Sequence, residues 1–470
     1  MRYHRRSAQL AVCLGLLALA GCGGISPSAD SRHAKVSPAA AQTAEPVPAV
    51  SGHLLRALWQ RPLGGGLVVD SGLVLSLSYR PAGVEAVSAV TGWTRWAAGV
   101  PARLQAYGLV PGNGVVIVEA GHEFGHAPAL VTYGVTEYVA LDLSSGRRLW
   151  TVGAPGHVQN PPIAISGKLV LTADLAGAIT ARQAATGDVL WRRQPPSDCW
   201  RQGPGPLATS VALAADQTRV AASFECAGCR ALVQMLDPRT GATSWSWESP
   251  RQPAGAVDDL AVTGVASQGD VLLLTGQDAG PDAANQLARA IPRRYSWPTG
   301  LGPPDDIQVV LALDARTGQP RWIELAGQMV SFTLADGAIC ETVSAGLECR
   351  DDVTGAPTDP VLVTGQEDSA APPIGGDSSA GITSPVAAVT VAPFRAGHVS
   401  VELVPIRGDR PLGQADVGTG TSPATASHAT EQPFVVAAGT LSSGRTLVLL
   451  RRVDLPNYPV LALEVASAPG

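Results

Sequence analysis

VLALDARTGQPRW, Val310 to Trp322, decides how the rest of this chain is read. Val310, Ala312 and Asp314 alternate with Leu311 and Leu313, a period-2 run that predicts a strand. Asp314 is placed to accept hydrogen bonds from the amides just ahead of it, and Gly318 supplies a backbone angle that other residues resist. Trp322 then returns a large flat ring four residues after the glycine. The stretch therefore predicts strand, tight turn, strand.

The same chemistry recurs along the chain. Asp142 to Gly146 leads to Trp150, and Asp237 to Gly241 leads to Trp245. Gln183 takes the aspartate place before Gly187 and Trp191, and Ser88 takes it before Gly92 and Trp96. The run from Cys349 to Gly355 keeps the turn but has Asp359 where the tryptophan belongs, and Val401 to Leu412 is a weaker echo around Gly408. Repeats of roughly 40 to 50 residues, each holding several short strands, predict propeller blades, with loop insertions making the spacing uneven.

These residues resemble the repeat of the pyrroloquinoline-quinone-like (PQQ-like) β-propellers, A-x-D-x-x-T-G-x-x-x-W. The resemblance implies an all-β fold of four-stranded antiparallel blades. It also implies that Trp96, Trp150, Trp191, Trp245 and Trp322 are wedges between neighbouring blades. Eight blades are expected, with seven as the alternative. The ring is expected to close through the strand around Trp59, which would complete the last blade, although PVLALEV (Pro459 to Val465) competes for that outer place.

The start of the chain reads as an address. Arg2, His4, Arg5 and Arg6 precede a short apolar run, and Leu19-Ala20-Gly21-Cys22 matches a lipobox, so residues 1–22 are expected to be a lipoprotein signal with Cys22 lipidated. That run falls below the ~20 residues needed to cross a bilayer. Residues 23–51 are rich in Ala, Pro and Ser and poor in large apolar side chains, which predicts a disordered tether. The propeller is then expected over 52–470, monomeric, held at the cell membrane on its extracytoplasmic side.

Composition agrees with a turn-rich, exported β protein. There are 52 Gly and 38 Pro, lysine is scarce, and the Ala, Gly and Arg content is of the high-GC, actinobacterial type. A net charge of -6 with no basic stripe excludes nucleic acid as the expected partner. Of 7 cysteines, Cys13 and Cys22 belong to the signal and anchor, and the rest are expected to pair in an oxidising compartment. Cys340 and Cys349 flank a hairpin whose register would set them opposite each other, within disulfide reach. Cys199 is expected to bridge either Cys226 or Cys229.

Two motifs invite a catalytic reading. His122-Glu123-Phe-Gly-His126 spells the zinc-peptidase signature, but that chemistry requires a helix and a third ligand. Its flanks are strands and Thr132 stands where a third histidine would, so the motif reads as a decoy. Cys226-Ala-Gly-Cys229 is followed by Arg230, which rules out covalent haem attachment.

Two functions compete. The first is a non-catalytic, membrane-anchored binding or scaffold module for a cell-envelope protein or ligand, similar to the lipoprotein propeller that assists β-barrel assembly. The alternative is a PQQ-dependent dehydrogenase of alcohols or sugars with calcium. The adjacent Cys-Cys pair and calcium carboxylate cluster of those enzymes are not found here, so the reading leans away from an enzyme with a bound cofactor. The loop-rich face of the ring is the expected place for any ligand.

Overall fold

In the computed structural model the chain divides into two units, Met1–Lys35 and Val36–Gly470. The structure describes residues chiefly within 50–158, 163–249, 261–277, 294–296, 308–362, 386–418 and 433–465, with short gaps, and all of them lie in the second unit. The described residues form strands and turns, arranged as eight sheets, seven of four strands and one of five. The fold is a β-propeller.

The first sheet gives the pattern. Strands β3 (Gly65–Asp70), β4 (Leu73–Tyr79), β5 (Ala82–Ser88) and β6 (Thr94–Gly99) pair antiparallel in chain order. The β3–β4 hairpin turns on Ser71 and Gly72, both at positive φ, which suits a two-residue turn between twisted strands. The β5–β6 turn closes with the Gly92 amide donating to the Ser88 carbonyl at 2.8 Å. The same 2.8 Å bond recurs at Gly146, Gly187, Gly241, Gly318 and Gly355, and each of these glycines has φ between 68 and 78°. At Asp314 one carboxylate oxygen accepts from the amides of Arg316 and Thr317 and from the Thr317 hydroxyl. Burial works against ionisation of this carboxyl, but the Arg321 guanidinium at 2.6 Å and the turn donors outweigh it and hold the pKa at about 2.

Subsequent sheets repeat this order: β7–β10 (Gln105–Val158), β11–β14 (Ile163–Arg193) and β15–β18 (Val211–Glu248). In the fifth sheet, β19 (Ala261–Gln268), β20 (Val271–Gln277), β22 (Gln308–Asp314) and β23 (Pro320–Ala326) gain a fifth strand, β21 (Arg294–Ser296). That strand comes from the insertion between β20 and β22 and runs parallel to β23, covering its outer edge. The sixth sheet is β24–β27 (Phe332–Leu362). First strands pack side by side from β3 to β7, β11, β15 and β19.

Both ends of the domain depend on strands from far along the chain. β2 (Leu55–Pro62) is the outer strand of the sheet formed by β31 (Pro433–Thr440), β32 (Thr446–Arg452) and β33 (Pro459–Val465). PVLALEV is thus the third strand there, and the segment holding Trp59 the fourth. The preceding sheet, β28 (Val386–Arg395), β29 (His398–Pro405) and β30 (Gly413–Gly418), takes its outer strand from β1, Val50–Ser51. Two readings are corrected by this. Val50 and Ser51, assigned to the tether, are paired backbone. The echo from Val401 to Leu412 connects second to third strand rather than third to fourth, because it lacks the Asp, Thr and Trp that build and cap the other turns. Asp359, the tether before Val50 and Cys22 lie outside the described residues.

The tryptophans hold the sheets together. Each indole leaves the outer strand of one sheet and lies on the turn glycine of the next, where a Cβ would fall 2.5–2.8 Å from the ring of Trp59, Trp96, Trp150, Trp191 or Trp245. Each ring N–H donates to the carbonyl one residue past the aspartate position: Trp59 to Ala89, Trp96 to Leu143, Trp150 to Ala184, Trp191 to Pro238, Trp245 to Ala315 and Trp322 to Asp352, at 2.7–3.1 Å. Trp59 joins the sheet that holds both ends of the domain to the first sheet. There Arg61 adds bonds to the Gly92 carbonyl, Thr94 and Glu85, and Arg193 does the same at Gly241, Thr243 and Gln234. Between the fifth and sixth sheets, buried Glu324 pairs with Arg350 at 2.7 Å.

Three substitutions separate the contributions at these seams. Trp322→Ala should cost about 3–5 kcal/mol, because a fully buried ring leaves a cavity. Trp322→Phe should cost about 1–3 kcal/mol, by stranding the Asp352 carbonyl. Gly318→Ala combines a φ of +72° with a Cβ placed in the Trp245 ring and should cost more than about 1 kcal/mol. Urea unfolding read by far-UV circular dichroism orders the three; a neutral Gly318→Ala would contradict the wedge.

Candidate functional site

Cys199 and Cys226 are bonded to each other, so the connection after the third sheet is tied to the end of β16 (Val220–Cys226), and both are buried. Cys229 lies outside the described residues. Cys349 is disulfide-bonded, and Cys340 stands directly across from it in the register of β25 (Ala338–Val343) and β26 (Gly346–Asp351). Non-reducing peptide mapping should recover Cys199 linked to Cys226 and Cys340 linked to Cys349; a Cys199–Cys229 peptide would contradict this arrangement.

His122, Glu123 and His126 all belong to strand β8 (Val115–Ala127), which pairs with β9 (Leu130–Asp142) in a long hairpin. His122 faces Gly134 across the ladder, and Glu123 faces Tyr133. Residues four apart on a strand stand about 13 Å apart, whereas one helical turn would bring both imidazoles to a single ion. Strand β8 therefore does not give these residues the helical spacing that the zinc-peptidase signature requires. Most connections on the loop-rich face, among them 159–162, 250–260 and 278–293, lie outside the described residues.

A different residue draws attention inside the second sheet. Glu119 sits mid-strand in β8, with Gly108 of β7 (Gln105–Gly112) on one side and Tyr138 of β9 on the other. A Cβ at Gly108 would meet the Glu119 carboxylate, which would have to shift to make room. On β8, Val116, Val118 and Ala120 pack toward the first sheet, while Val115 and Ile117 pack toward the third beside Tyr138, Trp150 and Val170. Strand alternation puts Glu119 on the side of Val115 and Ile117, in the seam with the third sheet, where Ile163 and Ile165 of β11 also pack. Desolvation there pushes the Glu119 pKa up to about 7. Tyr138 is fully buried with no hydrogen-bond partner for its hydroxyl among the described residues; burial, and then the Glu119 charge, hold its pKa well above the ordinary phenol value.

The sequence alone gave one clue to this acid. Glu119 is the single charge in an otherwise apolar run from Val115 to Ala120, which predicts a strand buried on both faces. A calcium–quinone centre requires several hard oxygen donors converging on one ion. Among the described residues no three His, Cys, Asp or Glu side chains come together, and Glu119 is a lone carboxyl among apolar and phenolic neighbours. Glu119 by itself does not supply such a donor set. What Glu119 can do is take up and release a proton near neutral pH.

Because its folded pKa lies above the unfolded 4.5, the folded state keeps the proton longer as pH rises. The Glu119 contribution to stability is therefore fully present below about 4.5 and is lost as pH rises toward about 7, by on the order of 3 kcal/mol. Glu119→Gln should flatten that slope and raise the urea midpoint at pH 8 relative to the parent. Parallel slopes for the two proteins between pH 5 and 7 would contradict it.

Three comparisons set the chain among known proteins. The sequence pattern of the family described as "Outer membrane protein assembly factor BamB" matches residues 118–357, just over half of the chain. Among solved structures, BamB from Moraxella catarrhalis is 12% identical with a TM-score of 0.46, covering 87% of this chain and 100% of that one. The computationally designed Ika8 protein is 14% identical with a TM-score of 0.46, covering 88% and 100%. No curated protein matches. With its turn glycines, docked indoles and four-stranded sheets, this chain belongs to the PQQ-like β-propeller family that carries the BamB description.

Proposed function

We propose that this chain is a lipid-anchored, extracytoplasmic propeller that acts as a non-catalytic scaffold for a protein of the cell envelope. The observation that carries the reading is the family match across residues 118–357, since that family is described by an assembly factor of a membrane. The lipobox ending at Cys22 and the Ala/Pro/Ser stretch after it support attachment to the outer leaflet of the cell membrane. The rigid, wedge-locked sheets suit a platform on which loops present contacts. A role at one surface of the cell also accounts for the disulfides, which persist only in an oxidising compartment.

Two measurements test this. Intact mass of the mature chain should carry a diacylglycerol on Cys22, lost in Cys22→Ser. Affinity purification of the lipidated chain from gently solubilised membranes should then enrich one envelope protein in near-equal amount. A chain without the lipid, or one that comes away alone after cross-linking, would overturn the proposal.

A further inference from the structure

The large apolar side chains exposed among the described residues are Val90, Trp93, Val189, Leu190 and Val353, with Trp93 75% exposed. All five lie within three residues of a turn glycine, Gly92, Gly187 or Gly355. Those turns share one face of the propeller, because each is hydrogen-bonded to the first hairpin of its own sheet. The Ala89 amide donates to Gly72, Leu143 to Gly114, Ala184 to Lys168, Ala315 to Asp270 and Asp352 to Gly337, all at 2.7–3.0 Å. Among the described residues the exposed apolar groups thus lie beside turns of this one face, and Trp93 is the most exposed of them.

A second, independent observation concerns where the chain enters the fold. In the sheet of β28, β29 and β30, the hairpin joining Arg395 to His398 marks the turn face, and His398 pairs with Gly418 at the end of β30. β1 pairs Val50 with Val417 and Ser51 with Asp416, so it starts at that same end and runs away from it. The chain therefore enters β1 at the turn face. Exposed cations stand there as well: Arg95, Arg147, Arg148, Lys168 and Arg239 are on or beside these turns. Acids share that face: Asp188 is exposed beside Gly187, and Asp142, Asp237 and Asp314 accept from the amides of their own turns.

We propose that the turn face lies against the lipid bilayer that holds the anchor, with Trp93 and Val90 in the interfacial zone and Arg147, Arg148 and Arg239 toward phosphate headgroups. Tryptophan prefers that zone because its ring is apolar at one end and hydrogen-bonding at the other. Arginine complements anionic headgroups within a Debye length. The proposal rests on the lipid anchor argued above. Cys22 precedes Val50 by 28 residues, so a lipid there holds this face at high local concentration beside the membrane. Contacts too weak to recruit a free protein then suffice to orient a tethered one.

The test uses the full lipidated chain in phosphatidylcholine–phosphatidylglycerol vesicles with brominated acyl chains. Flotation with the vesicles reads the anchor, and loss of tryptophan emission reads the face. The parent should float and be quenched. Trp93→Phe should float equally and lose about half or more of that quenching, because the docked indoles lie in the seams between sheets. A parent that floats without being quenched, or a Trp93→Phe variant quenched like the parent, overturns the orientation while leaving the anchor intact. A parent that does not float overturns the anchor, and the orientation falls with it. In cells, a photoreactive residue in place of Trp93 should cross-link to phospholipid; a protein adduct instead would make the occupant of this face a protein and overturn a lipid one.

Discussion

An indole lying flat on a turn, with its ring N–H donating to a carbonyl one residue past the aspartate position, joins six successive pairs of sheets in this propeller and sets the angle between them. A four-stranded sheet buries neither face alone, so each must find a neighbour, and the neighbour must be held at one angle. Ring and turn fix that angle together. The glycine is constrained twice, by its positive φ and by the ring that leaves no room for a Cβ. Where an aspartate is present it draws the turn amides inward, and Ser88 and Gln183 stand at turns whose next carbonyl faces the indole in the same way. Sequence spacing, turn geometry and packing between sheets are therefore one constraint seen at three scales.

That coupling explains why so much of the fold was legible. Trp96, Trp150, Trp191, Trp245 and Trp322 sit at a fixed offset from a glycine because the outer strand must carry the ring to the next turn. Where the contact is absent, legibility fails. Val401 to Leu412 resembled a repeat by composition, yet it has no tryptophan or Asp–Thr pair, and it joins second to third strand instead. Val50 and Ser51 could not be read as a strand, since two residues carry almost no periodicity and their pairing is decided by Asp416 and Val417 far along the chain. Trp59 was readable because its ring announces an outer strand wherever it occurs.

The candidate sites divide on the same principle. His122 and His126 carry a motif whose meaning depends on helical spacing, and the strand they occupy spreads them apart. Glu119 carries no motif, only an incongruous charge in an apolar run, and its character comes from a seam between sheets that no local reading contains. The Cys199 partner stayed open in sequence because Cys226 and Cys229 are three residues apart; the three-dimensional path of the loop selects Cys226. The exposed apolar side chains are likewise ordinary in sequence. They become informative only when the turns beside them share a face.

The strands at the two ends of the domain also bear on how such a chain is made. β1 and β2 leave the ribosome among the first structured residues, yet their partners, Asp416 to Val417 and Pro459 to Val465, are among the last. Throughout synthesis the Trp59 ring and two unpaired strand edges have only the first sheet to lean on, and long-range pairing of this kind is slow and prone to wrong partners. The sheet of β31 and β32 lacks its third strand until β33 is made, and β2 forfeits its pairing in a chain cut short before it. The closing of that sheet is thus read near the start of the chain: β2 settles into place only when β33 exists to receive it.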